Sequence, residues 1–124
     1  MITKINLAEK FTKLDEHWSP RVIGGLDGTH LAKIAKLKGE FVWHAHDHED
    51  ELFLVIKGHL TIELEAQTLT LDAGELCVIP AGVRHRPIAN EECHVLVFEK
   101  KQTAHTGTEQ SELTRSLDDQ LRPI

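Results

Sequence analysis

At 124 residues the chain is long enough for one domain with a single hydrophobic core, and too short for two such domains. Hydrophobic residues make up 40% of the sequence and charged residues 27%, which is typical of a globular protein and argues against a disordered chain. The formal net charge is -6 and the sequence contains no run of Lys or Arg, so we expect no nucleic-acid partner.

The hydrophobic residues are not gathered into a segment that could cross a membrane. No apolar run approaches the roughly 18 residues of a membrane-spanning helix. The N-terminal sequence MITKINLAEKF lacks the apolar core and the cleavage site of a signal peptide. We therefore expect a cytoplasmic protein with no membrane partner, in which Cys77 and Cys93 are buried free thiols.

Residues 1–20 are predicted to form a short helical segment. Four apolar residues recur at the spacing of one helical face: Leu7, Phe11, Leu14 and Trp18. Asn6 and Glu9 resemble a capping box at its start, and Pro20 ends it. Such a helix would pack on the outside of the main domain or on a neighbouring subunit.

Residues 21–100 are predicted to consist of short β-strands. The strand-like segments are RVI, THLAKIAKLKG, EFVWHAH, ELFLVIKG, HLTIELEA, TLTLDAGE, LCVIPAG and CHVLVFE. Strands at this regular spacing, with Gly-rich turns and no alternating helices, favour a β-sandwich or small barrel over a parallel α/β sheet. Residues 101–124 are polar and are predicted to form an extended arm or a short terminal helix, which lies on the barrel or on a partner chain.

Imidazoles and carboxylates are concentrated in the stretch HAHDHEDE, residues 44–51. On a strand His44 and His46 would point to the same face, because side chains repeat every two residues. The pair alone is a weak signal, but Glu51 begins the next predicted strand and His85 follows a later turn, PAGVRH. Three imidazoles and one carboxylate are enough for a transition-metal site with room for further ligands.

The competing interpretation of this stretch is a solvated polar loop that happens to be rich in histidine. His48 shares strand parity with the two preceding histidines and is an alternative ligand, although a loop position suits it better. Three neighbouring acidic residues are predicted to face water: Asp47, Glu49 and Asp50.

Two motifs in this sequence resemble those of the cupin family. The first reads GEFVWHAHDHEDELFLVIKG over residues 39–58, with a spacer before the first histidine that is one residue shorter than usual. The second begins at Gly74, passes through the turn to His85, and has Ala89 where Asn is usual. With the strands around them, the two motifs cover roughly residues 31–98.

The resemblance implies a fold and a set of ligands. The fold is an all-β, single-domain, double-stranded β-helix (a jelly-roll barrel of the RmlC-like superfamily) with a short N-terminal helix and a polar C-terminal arm. The ligands of one divalent transition metal ion (Fe, Mn, Ni, Zn or Cu) would be His44, His46, Glu51 and His85. The tail TAHTG is similar to that of small single-domain bacterial cupins, with His105 where Asn is expected. Some of these are labelled mannose-6-phosphate isomerase-like, but a shared fold does not fix function.

The predicted substrate pocket surrounds this centre. Phe53 and Val55 share parity with the carboxylate ligand and are expected to line the cavity. Arg84 and Arg86 flank His85, and either could bind an anionic substrate or form a surface ion pair. His94 could approach the pocket or the surface. The remaining imidazoles are predicted at the surface: His17, His30, His59 and His105.

Two classes of function stay open from the sequence. One is a metal-dependent enzyme acting on a small polar or carboxylated metabolite by dioxygenase, isomerase or lyase chemistry. The other is a non-catalytic module that binds or senses a metal or small ligand. The sequence contains no Tyr, so a phenolic acid or base is excluded. The resemblance also implies a homodimer that pairs through its terminal segments.

Overall fold

The computed structural model describes residues 2–124 and confirms the all-β architecture. The elements in chain order are α1 (Leu7–Phe11), β1 (Arg21–Leu26), β2 (His30–Glu40), β3 (Glu51–Lys57), β4 (His59–Leu64), β5 (Thr68–Asp72), β6 (Leu76–Ile79), β7 (His85–Lys100) and α2 (Leu117–Gln120). Among residues 2–124, no helix is both long enough and apolar enough to cross a membrane.

Strand β7 organises the whole sheet. The strands pair antiparallel in the order β1-β2-β7-β3-β6, and β4 pairs with both β5 and β7. The first residues of β7, from His85 to Ile88, pair with β4, whereas residues 94–99 pair with both β2 and β3. The expectation that the last strand begins near Cys93 is therefore wrong, because one strand of 16 residues starts at His85.

The core lies on the inward faces of these strands. In β3 the buried residues alternate with half-buried ones, and in β4 Leu60 and Ile62 are fully buried, as the two-residue repeat of a strand requires. Each large apolar side chain buried in this way stabilises the fold by about 1.5–3 kcal/mol. The inner cluster includes Trp18, Leu37, Phe41, Phe53, Val55, Ala89, Cys93, Val95 and Val97.

The N-terminal segment forms a shorter helix than the sequence predicts. The side chain of Asn6 accepts a hydrogen bond from the Glu9 amide at 3.0 Å, but the helix ends at Phe11. Leu14 and Trp18 are buried without being helical, since Trp18 has a φ of 57° and donates its indole N–H to the Lys38 carbonyl at 2.8 Å. The apolar spacing therefore predicted correctly that Phe11, Leu14 and Trp18 are buried, but it predicted too long a helix.

The C-terminal arm folds back over the barrel. Its one regular element is the single-turn helix α2, while Leu113 packs against the inner cluster and Ile124 against a second cluster around Phe11. Gly107 approaches the loop before β3 so closely that a Cβ atom there would lie 1.9 Å from the Ala45 carbonyl oxygen. The arm is thus held against the segment that carries the first two candidate ligands.

Candidate metal centre

His44 and His46 lie in a loop and not on the strand that the sequence predicts. Strand β2 ends at Glu40, and only an isolated bridge between His44 and His85 continues the sheet. In that bridge the two backbone amides donate to each other's carbonyls at 3.0 and 2.9 Å. His46 is fixed differently, because its carbonyl accepts from the Gly82 amide at 2.8 Å. The two imidazoles still converge, with ring centroids 5.0 Å apart.

The turn before β7 positions the third candidate histidine ligand, His85. Val83 donates its amide to the Pro80 carbonyl at 3.2 Å, and Gly82 has a φ of 80°, a conformation that glycine adopts without strain. The Asp50 carboxylate holds the turn from outside by accepting from the Ala81 amide at 2.8 Å. His85 then begins β7 on its inward face, and its side chain is fully buried.

Four buried donors meet at one point. One donor atom from each of His44, His46, Glu51 and His85 lies within 4.8 Å of all the others. Glu51 Oε1 is 3.5 Å from His46 Nε2 and 3.3 Å from His85 Nε2. A transition metal bound at about 2.0–2.2 Å needs its donors within roughly 4.4 Å of one another. Small rotations of these side chains would therefore bring the four donors to bonding distance of one ion.

Two of the imidazoles are already oriented for coordination. His44 Nδ1 lies 2.9 Å from the Val42 carbonyl oxygen, and His85 Nδ1 lies 3.0 Å from that of Val83. A carbonyl only accepts, so each Nδ1 carries the proton and each Nε2 presents its lone pair to the cluster. Both ring nitrogens of His46 are buried with no hydrogen-bond partner among the described residues, as expected of a ligand whose partner is an ion.

The protonation states of these groups favour a cation. Burial, and then the neighbouring His85, lower the pKa of His44 to about 4, so its ring is neutral at pH 7. Burial alone would raise the pKa of Glu51, but the nearby His46 and His85 rings outweigh it and lower the pKa. Burial alone would lower the pKa of His46, but the neighbouring Glu51 carboxylate outweighs it and raises the pKa. An ionised carboxylate and a neutral His44 ring suit Zn, Fe, Ni, Cu or Mn, and an incoming cation would displace a proton from His46.

Comparison with known proteins agrees with this geometry. The family model for the cupin domain matches residues 31–99, more than half of the chain. The chain belongs to the cupin domain family. A cupin-2 domain protein from Shewanella frigidimarina is 47% identical, with a TM-score of 0.75, over 77% of this chain and 93% of that one.

Two further relatives extend the comparison. Protein NMB1881 from Neisseria meningitidis is 26% identical with a TM-score of 0.72, and the match covers 79% of this cupin and 99% of that chain. The uncharacterized protein YdbB from Bacillus subtilis is 40% identical over 58 residues. That match spans 46% of this cupin and 51% of YdbB, about half the length of the relative.

A recessed cavity adjoins the cluster inside this cupin barrel. His44, Glu51 and Phe53 contribute to its wall, so Phe53 lies where its strand parity predicts. Val55 is instead buried in the core, away from this wall. About 40 Å³ is open to the centre of a water-sized sphere, and one water needs about 10–15 Å³. The cavity therefore suits a molecule of a few heavy atoms.

The two arginines and His94 lie outside the cavity wall. Arg84 is exposed, with its guanidinium 5.4 Å from the centre of the Trp43 ring. Arg86 donates from Nε to Glu63 at 2.8 Å. The His94 ring stacks on Phe11 at 4.4 Å, on the outer surface of the barrel. These contacts give the three residues structural partners away from the cluster.

The other histidines follow the prediction with one exception. His48 is exposed in the loop and is not one of the four converging residues. His105, expected at the surface, instead lines the cavity, with its ring 5.2 Å from that of Phe41. Burial lowers the pKa of His105 to about 4, and its Nδ1 accepts from the Arg115 amide at 2.9 Å. The neutral ring therefore carries its proton on Nε2 and can donate a hydrogen bond.

Sequence reasoning also missed a buried ion pair beside the cluster. Lys33 Nζ lies 3.2 Å from Glu99 Oε1, and the two side chains are 1% and 6% exposed. Burial and the Glu51 carboxylate raise the pKa of Glu99 to about 8. A signal for this pair was present, because Lys33 has the parity of Leu31 and Leu37 on β2, and Glu99 that of Val95 and Val97 on β7.

Proposed function

We propose that this cupin binds one divalent transition metal ion through His44, His46, Glu51 and His85 and acts on a small polar or carboxylated metabolite there. The observation that carries the proposal is the convergence of four buried donors within 4.8 Å. Burying three imidazoles and a carboxylate together costs stability unless a partner satisfies them, and a cation is such a partner. A solvated polar loop would leave the same side chains exposed.

The metal ion, the backbone carbonyls beside it and the cavity wall would contribute differently to this function. When bound, a divalent transition metal supplies a Lewis acid or a redox centre for dioxygenase, isomerase or lyase chemistry. The Val42 and Val83 carbonyls fix the rings of His44 and His85, so the ligand geometry is set before the ion arrives. The apolar cavity wall limits access of water, and Phe53 and His105 face the space where the metabolite would bind.

The metal test is elemental analysis of protein purified without added metal and without a His tag. We expect about one ion per chain in the wild type, before or after reconstitution with Fe, Mn, Ni or Zn, and less than about a tenth of that in His44→Ala. His59→Ala is the matched control, since it removes an exposed imidazole that bonds only Asp72, and it should keep its metal. If the wild type binds no ion after reconstitution, the proposal fails.

A second measurement separates an enzyme from a binding module. The metal-loaded protein is incubated with a panel of small carboxylic acids, hydroxy acids and sugars, while oxygen consumption and product formation are recorded. Turnover that disappears in His44→Ala supports a metal-dependent oxidoreductase, isomerase or lyase. Saturable binding with no turnover across the panel favours a non-catalytic sensing module.

We also propose that the chain forms a homodimer in a reducing, cytoplasmic compartment. Its support is an outward-facing apolar patch on β3, β6 and β7, where Leu76 and Val78 are 54% and 51% exposed. The strand registers place four more apolar residues beside them: Leu52, Leu54, Leu96 and Phe98. Cys77 and Cys93 are free thiols, as a reducing compartment allows. Light scattering that gives a monomer mass would contradict the dimer.

A further inference from the structure

Glu99 is a buried carboxylate in which only one of the two oxygens has a partner. It lies on β7 directly opposite Glu51 of β3, and its side chain is 94% removed from solvent. Oε1 faces Lys33 Nζ at 3.2 Å, whereas Oε2 is buried with no hydrogen-bond partner among residues 2–124. Buried carboxylate oxygens normally accept a hydrogen bond, so an oxygen without one indicates a binding position for a ligand donor.

The surroundings of Glu99 indicate where that partner would be. Glu99 lines the same cavity as His44 and Glu51, so a molecule in the cavity could contact both Glu99 and the candidate metal cluster. Apart from His105, the rest of the wall is apolar or aromatic, with Trp18, Phe41 and Phe53 as its largest side chains. A polar group of such a molecule would therefore find few other acceptors.

Lys33 explains why this acceptor is held in place. The ammonium group is 1% exposed and lies on the neighbouring strand β2, where Leu31 pairs with Glu99. The ion pair fixes one carboxylate oxygen and leaves the other without a hydrogen bond among the described residues. Above its pKa of about 8, a carboxylate constrained in this way is a preorganised acceptor, and binding to it needs little loss of side-chain freedom.

We propose that Glu99 is a ligand-binding residue whose Oε2 accepts a hydrogen bond from a hydroxyl or amino group of the metabolite. The metabolite class is then narrower than a small polar acid: a compact molecule with a mainly apolar body, one group that reaches the metal cluster, and one hydrogen-bond donor at its other end. This inference rests on the proposed function, because it assigns a role at the same site. Glu99 belongs to neither the four converging donors nor their hydrogen-bond partners.

The test compares two probes that differ by one hydroxyl group, propionate and 3-hydroxypropionate. They are titrated at pH 9, where Glu99 is ionised, into Ni²⁺-loaded protein from which free metal has been removed. The fluorescence of Trp18 in the cavity wall is the readout, and Trp43→Phe is the background. A hydrogen bond to a charged acceptor predicts that 3-hydroxypropionate binds at least about tenfold more tightly. The matched control Glu91→Gln alters an exposed glutamate of the same strand and should keep this preference.

The decisive variant is Lys33→Met/Glu99→Leu, which removes both charges so that neither is left buried alone. We expect it to bind one Ni²⁺ per chain and to bind the two probes within about twofold of each other. If it does not fold, Glu99→Gln replaces it, with β-alanine as the probe. The amide oxygen of this variant would face Lys33 Nζ, which leaves the amide NH2 group in the place of Oε2. Because the β-alanine ammonium group can only donate, it would lose its acceptor, and its binding should weaken at least about tenfold.

The outcomes separate the two proposals. If the wild type holds one Ni²⁺ per chain but binds both probes equally, the role of Glu99 is wrong and the metal site stands. A preference that survives in Lys33→Met/Glu99→Leu, as metal chelation by the hydroxyl would give, likewise overturns it. If no Ni²⁺ binds, the proposed function fails and the inference fails with it.

Discussion

Two groups of histidine and carboxylate side chains in this cupin use the same chemistry in opposite surroundings. The buried cluster consists of His44, His46, Glu51 and His85, each at most 6% exposed. We call the second group the surface trio: His17, Glu92 and His94, in which the two Glu92 oxygens lie 3.0 Å from the two rings. Within residues 2–124, only the buried cluster brings at least three potential ligand atoms together around one point.

The difference shows that residue composition does not make a metal site. In the surface trio the hydrogen bonds from His17 and His94 lower the pKa of Glu92 to about 2, so the carboxylate already has partners of its own. Water can solvate whatever remains, because the His17 and Glu92 side chains are 41% and 43% exposed. In the buried cluster the residues are at most 6% exposed, and neither ring nitrogen of His46 makes a hydrogen bond among the described residues. Burial with incomplete satisfaction distinguishes the candidate site.

The largest effect is expected from a substitution in the C-terminal arm, which packs against the loop of the buried cluster and not against the surface trio. Gly107→Ala would bring a Cβ within 1.9 Å of the Ala45 carbonyl oxygen, at a φ of 59° that disfavours side chains. We expect it to lower the free energy of unfolding by about 3 kcal/mol or more, measured by urea denaturation.

Gly28→Ala is the matched control for that substitution. Gly28 has a φ of 69° but open space around its Cβ position, so the loss should stay near about 1–2 kcal/mol. Equal losses at the two glycines would show that the arm does not press on the loop of His44 and His46.

Metal should stabilise the protein through the buried cluster alone. At a free Zn²⁺ concentration of 100 times the dissociation constant, we expect about 2.7 kcal/mol of added stability in urea denaturation. His46→Gln should abolish this gain, and His17→Gln should retain it. Loss of the gain in His17→Gln instead would move the metal to the surface trio.

Acid should destabilise the metal-free protein through its buried imidazoles. The pKa of His105 is about 4 when folded and about 6.5 when unfolded, so between these values the unfolded chain binds the extra proton. Stability is therefore complete above pH 6.5 and falls as the pH decreases towards 4. Between pH 7 and pH 5 the wild type should lose about 1–2 kcal/mol more than His105→Gln.

Urea denaturation of both proteins at the two pH values measures this difference. His48→Gln, which replaces an exposed loop imidazole, is the control and should parallel the wild type. If His105→Gln also parallels the wild type, His105 is accessible to water and does not line a recessed cavity.

The smallest effect is expected in the surface trio itself. Glu92→Gln removes a carboxylate that is 43% exposed, and ion pairs open to solvent contribute at most about 1 kcal/mol. Metal content should be unchanged. A loss of several kcal/mol in thermal or urea denaturation would mean that the trio anchors the N-terminal segment, and the contrast with the buried cluster would weaken.

The strands and the four converging residues could be predicted from the sequence because their signals are local. Alternation every two residues defines β3 and β4, and the spacing of His44, His46, Glu51 and His85 follows a recognisable motif. The His44–His46 pair converged for a reason other than the predicted one. Its segment is a loop, held by backbone hydrogen bonds to the turn before β7.

The remaining parts of the site depend on contacts between distant segments. His105 reaches the cavity because the arm folds back, and its polar sequence has no periodicity that could report this. Trp18 kept the spacing of a helix while its backbone adopted a turn. Lys33 and Glu99 were detectable in principle, since each interrupts an inward-facing apolar register, but their pairing required knowing that β2 and β7 are neighbours.

Anomalous X-ray scattering from crystals of the metal-loaded protein tests the central claim most directly. The account predicts one strong peak per chain, at about 2.0–2.2 Å from one donor atom each of His44, His46, Glu51 and His85. The same data recorded on His85→Ala should lose that peak. A peak between His17, Glu92 and His94, or none at the buried cluster in a fully loaded crystal, would contradict it.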